Sequence, residues 1–124
     1  MDATAIILLL MFLVPFVVAV ATDIVIDWLV VEAERPRPML ICIENILAVV
    51  AFYALVVPVV ELGLRGASGV FAMALPKGVI LVASLVLTGR IRNPNLRVRT
   101  VSVLLKFASF VILFELIMWL ASLD

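Results

Sequence analysis

Residues 3–22 read ATAIILLLMFLVPFVVAVAT, an uncharged and almost wholly apolar run of 20 residues. A helix of about 20 such residues crosses a hydrocarbon core of about 30 Å. The run therefore predicts a transmembrane helix. The apolar pattern continues past two aspartates to Val31, which predicts a helix that is longer than the bilayer core. Pro36 and Pro38 are expected to stop it, because proline has no backbone N–H to donate.

The composition extends the membrane prediction to the whole chain. Of its 124 residues, 67% are hydrophobic and 15% are charged, whereas soluble domains are near half apolar and a quarter charged. There is no histidine and one cysteine, Cys42, which excludes histidine ligands, histidine bases and disulfides within the chain. Nine basic residues balance nine acidic ones, so net charge does not favour nucleic acid. We expect no cofactor, no metal and no catalytic activity.

Three further apolar stretches predict three further spans, at residues 39–60, 70–89 and 100–123. The span at 70–89 is the weakest of them, because the sequence Pro76-Lys77-Gly78 interrupts it. The connecting loops are short and leave no room for a soluble head. The predicted fold class is an all-α integral membrane protein. It has four transmembrane helices, arranged as two antiparallel hairpins in one domain of residues 1–124.

The arginines predict which way the spans point. Six of the seven arginines lie between spans one and two or between spans three and four. Cytoplasmic loops are enriched in Lys and Arg, so we expect both termini on the non-cytoplasmic side of the cell membrane, plasma or inner. Basic residues near the surface also attract anionic lipid, at about 1 kcal/mol each. The predicted cytoplasmic basic loop contains Arg90, Arg92, Arg97 and Arg99.

Four ionisable residues fall inside the predicted spans: Glu44, Lys77, Lys106 and Glu115. A charge at the centre of a span costs about 2.5–3.5 kcal/mol on insertion scales. Depth along each helix pairs Glu44 with Lys106, and Lys77 with Glu115. Lys106 and Glu115 are nine residues apart and point to opposite sides of their helix. We therefore predict that span four lies between spans two and three.

These four charges allow a structural and a functional interpretation. In the structural one, two ion pairs fix helix packing, within the chain or with a neighbouring subunit. Snorkelling to the cytoplasmic interface is a second structural explanation for Glu44 and Lys106. In the functional one, Glu115 or Glu44 loads and unloads a proton or ion beside its lysine. Matched acids and bases favour the structural interpretation.

A separate acidic stripe is formed by Asp23, Asp27 and Glu34, which lie within about 40° of arc on one helix. We expect a solvated helix end that faces the arginine loop; a cation-binding or proton-collecting site is the alternative. Tyr53 lies in the middle of a span and is expected to hydrogen-bond to a neighbouring helix.

Two functions remain open on the sequence. The favoured one is a structural or accessory subunit of a larger membrane protein complex. The alternative is a small ion- or proton-coupled transporter or channel that works as a homo-oligomer. The expected partners are the lipid bilayer, anionic lipid included, and other membrane subunits or copies of the chain, with no nucleic acid.

Overall fold

The computed structural model describes residues 2–30, 38–64, 67–88 and 96–121, and within these ranges every regular element is helical. Five helices follow one another along the chain. They are α1 (Ala3–Val30), α2 (Pro38–Ala54), α3 (Val56–Glu61), α4 (Ala67–Leu87) and α5 (Leu96–Ala121).

The chain is a multi-pass membrane protein by the length and apolarity of its helices. Four stretches of 20 to 27 residues are long and apolar enough to cross a bilayer. Helices α2 and α3 together make the second of them, and α1, α4 and α5 make the others. The prediction of an all-helical protein with four candidate spans is confirmed.

The second span is broken at Leu55, between α2 and α3. Pro58 has no N–H to donate to the carbonyl of Ala54, four residues earlier. The Leu55 amide still donates to Ala51, at 3.1 Å, so the helical hydrogen bonds lapse only locally. Pro76 differs, because α4 continues through it without interruption. The expected interruption of the third span is therefore not found.

The four spans pack in a ring in the order α1, α2, α4, α5 and back to α1, each against two neighbours. Among the described residues, α5 packs against α1 and α4, and its backbone does not approach that of α2. The prediction that span four lies between spans two and three is therefore wrong. Its neighbour is α1 because, as described below, α1 carries the acid that Lys106 contacts.

One half of the bundle interior is apolar and contains an aromatic cluster, Phe52, Phe110 and Phe114. The rings of Phe52 and Phe114 stack with centroids 3.8 Å apart, and those of Phe110 and Phe114 are 4.7 Å apart. All three side chains are buried. Phe52 belongs to α2 and the other two to α5, so the rings fill the space between helices whose backbones lie across the ring from each other.

Tyr53 hydrogen-bonds to a neighbouring helix, which confirms the sequence prediction. Its hydroxyl donates to the backbone carbonyl of Met11 at 2.6 Å. Met11 is four residues before Pro15, so its carbonyl has no intrahelical N–H to accept. The phenol on α2 supplies the donor that the proline on α1 removes, and so offsets the cost of a bare carbonyl in an apolar environment.

Candidate functional site

The other half of the interior holds a concentration of buried polar side chains, which we call the polar network. A soluble core tolerates few such groups, and a membrane bundle fewer, unless they are paired. The ionisable members are three acids and three bases, so their formal charges balance. The members are Asp23, Asp27, Glu44, Asn45, Lys77, Ser84, Arg99, Ser102 and Lys106.

Lys77 of α4 is completely enclosed, at 0% exposure. Its Nζ donates to Asp23 Oδ2 at 2.6 Å and to Asn45 Oδ1 at 2.6 Å. The Asn45 amide closes the ring by donating to Asp23 Oδ2 at 2.9 Å, and also donates to the carbonyl of Ile41 at 2.9 Å. One ammonium thus joins α4 to α1 and α2, and the amide supports both ends of the ion pair.

The aromatic cluster lies next to the Lys77 ammonium, on the side of Phe110. Lys77 Nζ lies 5.3 Å from the centroid of the Phe110 ring. A cation over an aromatic face within about 6 Å is attracted by the ring quadrupole, more strongly where water is excluded. The polar network therefore ends at Phe110, and the rings of Phe52 and Phe114 lie beyond it.

Lys106 of α5 repeats the arrangement one helical turn along α1. Its Nζ lies 2.9 Å from each oxygen of the Asp27 carboxylate. Ser102, one turn earlier on α5, donates from Oγ to Asp27 Oδ1 at 3.0 Å. Each α1 aspartate is therefore bound by one lysine and one neutral polar side chain, and α1 is tied to two different helices.

Glu44 and Arg99 complete the network beside Lys106. Both are buried, and together with Asp27 and Lys106 they line a cavity of about 10 Å³. A water molecule needs at least about 10–15 Å³ of such volume. The network is therefore closely packed there. In the part of the chain that the structure describes, no three His, Cys, Asp or Glu side chains converge as metal ligands would.

The predicted charge pairs require correction. Lys77 lies against Asp23, not Glu115, which is exposed and farther along α5. Glu44 and Lys106 do line the same small cavity, but the carboxylate bound to Lys106 is that of Asp27. Neither aspartate enters the predicted pairs, because the predicted span ends at residue 22 and the rest of the helix is expected to be solvated. The helix continues to Val30 and carries both inside the bundle.

The acidic stripe and the basic loop are also placed differently from their prediction. Asp23 and Asp27 share one face of α1 as predicted, but that face is buried rather than solvated. Glu34, Arg90 and Arg92 lie outside the described residues. Helix α5 begins before the last two arginines of the predicted loop, so Arg97 and Arg99 are helical; Arg97 is exposed and Arg99 is buried.

Sequence reasoning missed Asn45 and Ser102 as members of the site. A signal for each was present. Asn45 has a side-chain amide inside an apolar span, where a polar group without a hydrogen-bond partner is costly, so a partner is expected. Ser102 lies four residues before Lys106 and therefore on the same helix face.

No protein-family model matches the chain, and no curated protein and no solved structure is similar to it at a significant level. Its function must therefore be inferred from its own residues.

The two pairings proposed for Lys106 make different predictions for double-mutant cycles. We expect Asp27→Asn and Lys106→Met to couple by about 1–3 kcal/mol in unfolding free energy, because these side chains bond directly. The cycle of Glu44→Gln with Lys106→Met should show a smaller coupling. Unfolding in mixed detergent micelles, followed by circular dichroism, measures both. A larger coupling energy for Glu44 with Lys106 than for Asp27 with Lys106 would contradict the structure and support the predicted pair of Glu44 with Lys106.

Proposed function

We propose that this chain is a structural, accessory subunit of a larger membrane protein complex, with no cofactor and no catalysis of its own. The observation that supports this is that its intramembrane bases are bound within the chain. Lys77 and Lys106 are each exposed by 5% or less and each lies within 3 Å of an aspartate of α1. Such pairs select which helices pack together and leave the outer surface apolar for lipid and neighbouring subunits.

The alternative, a transport path through the bundle, has less support. A path for ions or protons needs polar groups or water from one side to the other. The polar network reaches Lys77 from the Arg99 end, and there it meets the aromatic cluster, whose stacked rings offer no hydrogen-bonding atom. Because the polar network ends at the aromatic cluster, a role in fixing the helix packing has more support than a role as a transport path.

We further propose two antiparallel hairpins, with both termini on the non-cytoplasmic side of the cell membrane. Met11 lies against Tyr53 whereas Asp23 lies against Asn45, so residue numbers run in opposite directions along α1 and α2. The same opposition in α4 and α5 is supported by their shared pockets, lined by Met73 with Met118 and by Val82 with Val103. The side is proposed from the arginine distribution.

The proposed partners are other membrane subunits, or further copies of the chain, together with the bilayer. Exposed apolar side chains cover the outer faces of all four spans, as lipid or another transmembrane helix requires. Arg97, of the predicted basic loop, is exposed at the start of α5. Its exposure supports contact with anionic lipid headgroups.

Proteoliposomes that contain only this chain test the structural proposal against transport. We expect proton flux under an imposed potential, read with an entrapped pH dye, to equal that of empty vesicles. In native membranes, deleting the chain should lower the abundance of a membrane protein that copurifies with it at fixed stoichiometry. Flux above empty vesicles that falls in both Asp27→Asn and Glu44→Gln would contradict the proposal and favour the transporter.

A further inference from the structure

The pocket lined by Met73 and Met118 lies between α3, α4 and α5, at the opposite end of the bundle from Arg99. Its volume is about 440 Å³, within the range of about 300–1,000 Å³ that small-molecule sites occupy. The walls are mostly apolar. They include two thioethers and one indole, and among the lining residues are Leu64, Val70, Met73, Met118 and Trp119.

Glu115 is the charged group of this cavity. Its side chain is exposed and lines the cavity beside Met118 and Trp119. It lies inside the span Arg97–Leu120, five residues from its end, or about 7.5 Å along the helix axis. None of the described residues that line the cavity is basic.

This carboxylate is independent of the polar network. Phe110 and Phe114 lie between Lys106 and Glu115 along α5, and both rings are buried. The network's charges balance without Glu115, and the described lining of the cavity supplies no positive charge to this carboxylate. The cavity therefore favours a positively charged ligand over a negatively charged one.

We propose that this cavity is a binding site for a lipophilic monocation, an ammonium or similar charge carried on a hydrophobic body. Glu115 supplies the counter-charge, and the indole and the two thioethers supply polarisable walls suited to a soft cation. A phospholipid with an ammonium headgroup also carries a phosphate. The described lining offers no basic group for a phosphate, so a cation without an attached anion fits better.

Binding of tetraphenylphosphonium to the purified full-length chain in a non-ionic maltoside tests the proposal by titration calorimetry. We expect saturable binding of one cation per chain, with tetraphenylborate, a similarly shaped anion, binding at least about tenfold more weakly. Glu115→Gln should weaken the cation by at least about tenfold, and Glu115→Asp by less. Glu61→Gln is the matched control, an exposed acid at the end of α3, and should change the affinity by less than about twofold.

A second variant tests the site with its carboxylate intact. Leu64 lines the cavity in an exposed turn, and Leu64→Lys adds a base to the cavity that Glu115 also lines. We expect it to weaken the cation by at least about tenfold. Leu62→Lys, in the same turn but not in the lining, should leave the affinity within about twofold.

Several results would overturn the proposal. The first is no saturable binding of tetraphenylphosphonium by the unaltered chain. The others are an unchanged affinity for this cation in Glu115→Gln, and an affinity of the unaltered chain for tetraphenylborate equal to its affinity for the cation. Displacement of the cation by phosphatidylethanolamine in a Glu115-dependent manner would instead assign the cavity to a lipid headgroup. A change of oligomeric state in Glu115→Gln, with unchanged affinity for the cation, would make it an interface between copies.

Discussion

Lys77→Met is expected to lower the free energy of unfolding by about 3–5 kcal/mol, the cost of breaking one side of a buried ion pair. Methionine fills nearly the same volume, so packing against Phe110 changes little. The Asp23 carboxylate, 1% exposed, would lose the ammonium 2.6 Å from it and remain in the bundle as a charge without its base. Denaturation of the detergent-solubilised chain by sodium dodecyl sulfate, followed by circular dichroism, measures the loss.

A double variant separates the lost charge balance from lost packing. In Asp23→Asn with Lys77→Met, both charges are absent and the new amide at position 23 can still pair with Asn45. Replacing a whole buried ion pair is often close to neutral, so most of the lost stability should return. If the double variant is as unstable as Lys77→Met alone, the stranded carboxylate is not the cause of the instability.

Phe52→Ala is expected to cost about 3 kcal/mol, the lower end of the range of about 3–5 kcal/mol for such truncations in soluble cores. Phe52 is 0% exposed and its ring stacks on Phe114. Removing it opens a cavity in the bundle interior beside the ring of Phe114. The lower end applies because lipid is as apolar as the core, so the loss is of packing rather than of transfer from water.

Phe71 provides the control for Phe52. Its ring meets Phe107 edge to face at 5.5 Å, but the side chain is half exposed on the outside of α4. Phe71→Ala leaves a gap that lipid chains can fill, so we expect a loss below about 1 kcal/mol. Equal losses for the two variants, measured by the same denaturation, would show that the aromatic cluster does not hold the bundle together.

The number of spans could be predicted from the sequence, because apolar length alone determines whether a helix can cross a bilayer. The pairing of charges could not. Asp23 and Asp27 follow an uncharged run of 20 residues, so the sequence predicts a solvated helix end for them, whereas the structure buries both. Depth along separate helices also does not determine which helices are neighbours. It therefore pairs Lys77 with Glu115 of α5, whereas the structure pairs Lys77 with Asp23 of α1.

Other features of the site were within reach of sequence reasoning to different degrees. The four-residue spacing correctly placed Asp23 and Asp27 on one face, since helical periodicity is local. Whether that face meets water or lysine depends on the packing order of the ring, which is a tertiary property. Tyr53 was predicted to bond across helices, but the carbonyl it would find depends on Pro15 of another helix.

The two ion pairs of α1 also impose an order on synthesis. Asp23 and Asp27 are synthesised before their bases, which follow 54 and 79 residues later. At about 5–20 residues per second, the longer interval is about 4–16 s. Both lysines are absent until Lys77 is made, and Lys106 is absent until the end of the interval. The acidic turn of α1 must therefore stay hydrated, or close to the translocation machinery, until α4 and then α5 arrive. Helix α1 therefore reaches its final packing only after α4 and α5 have been made.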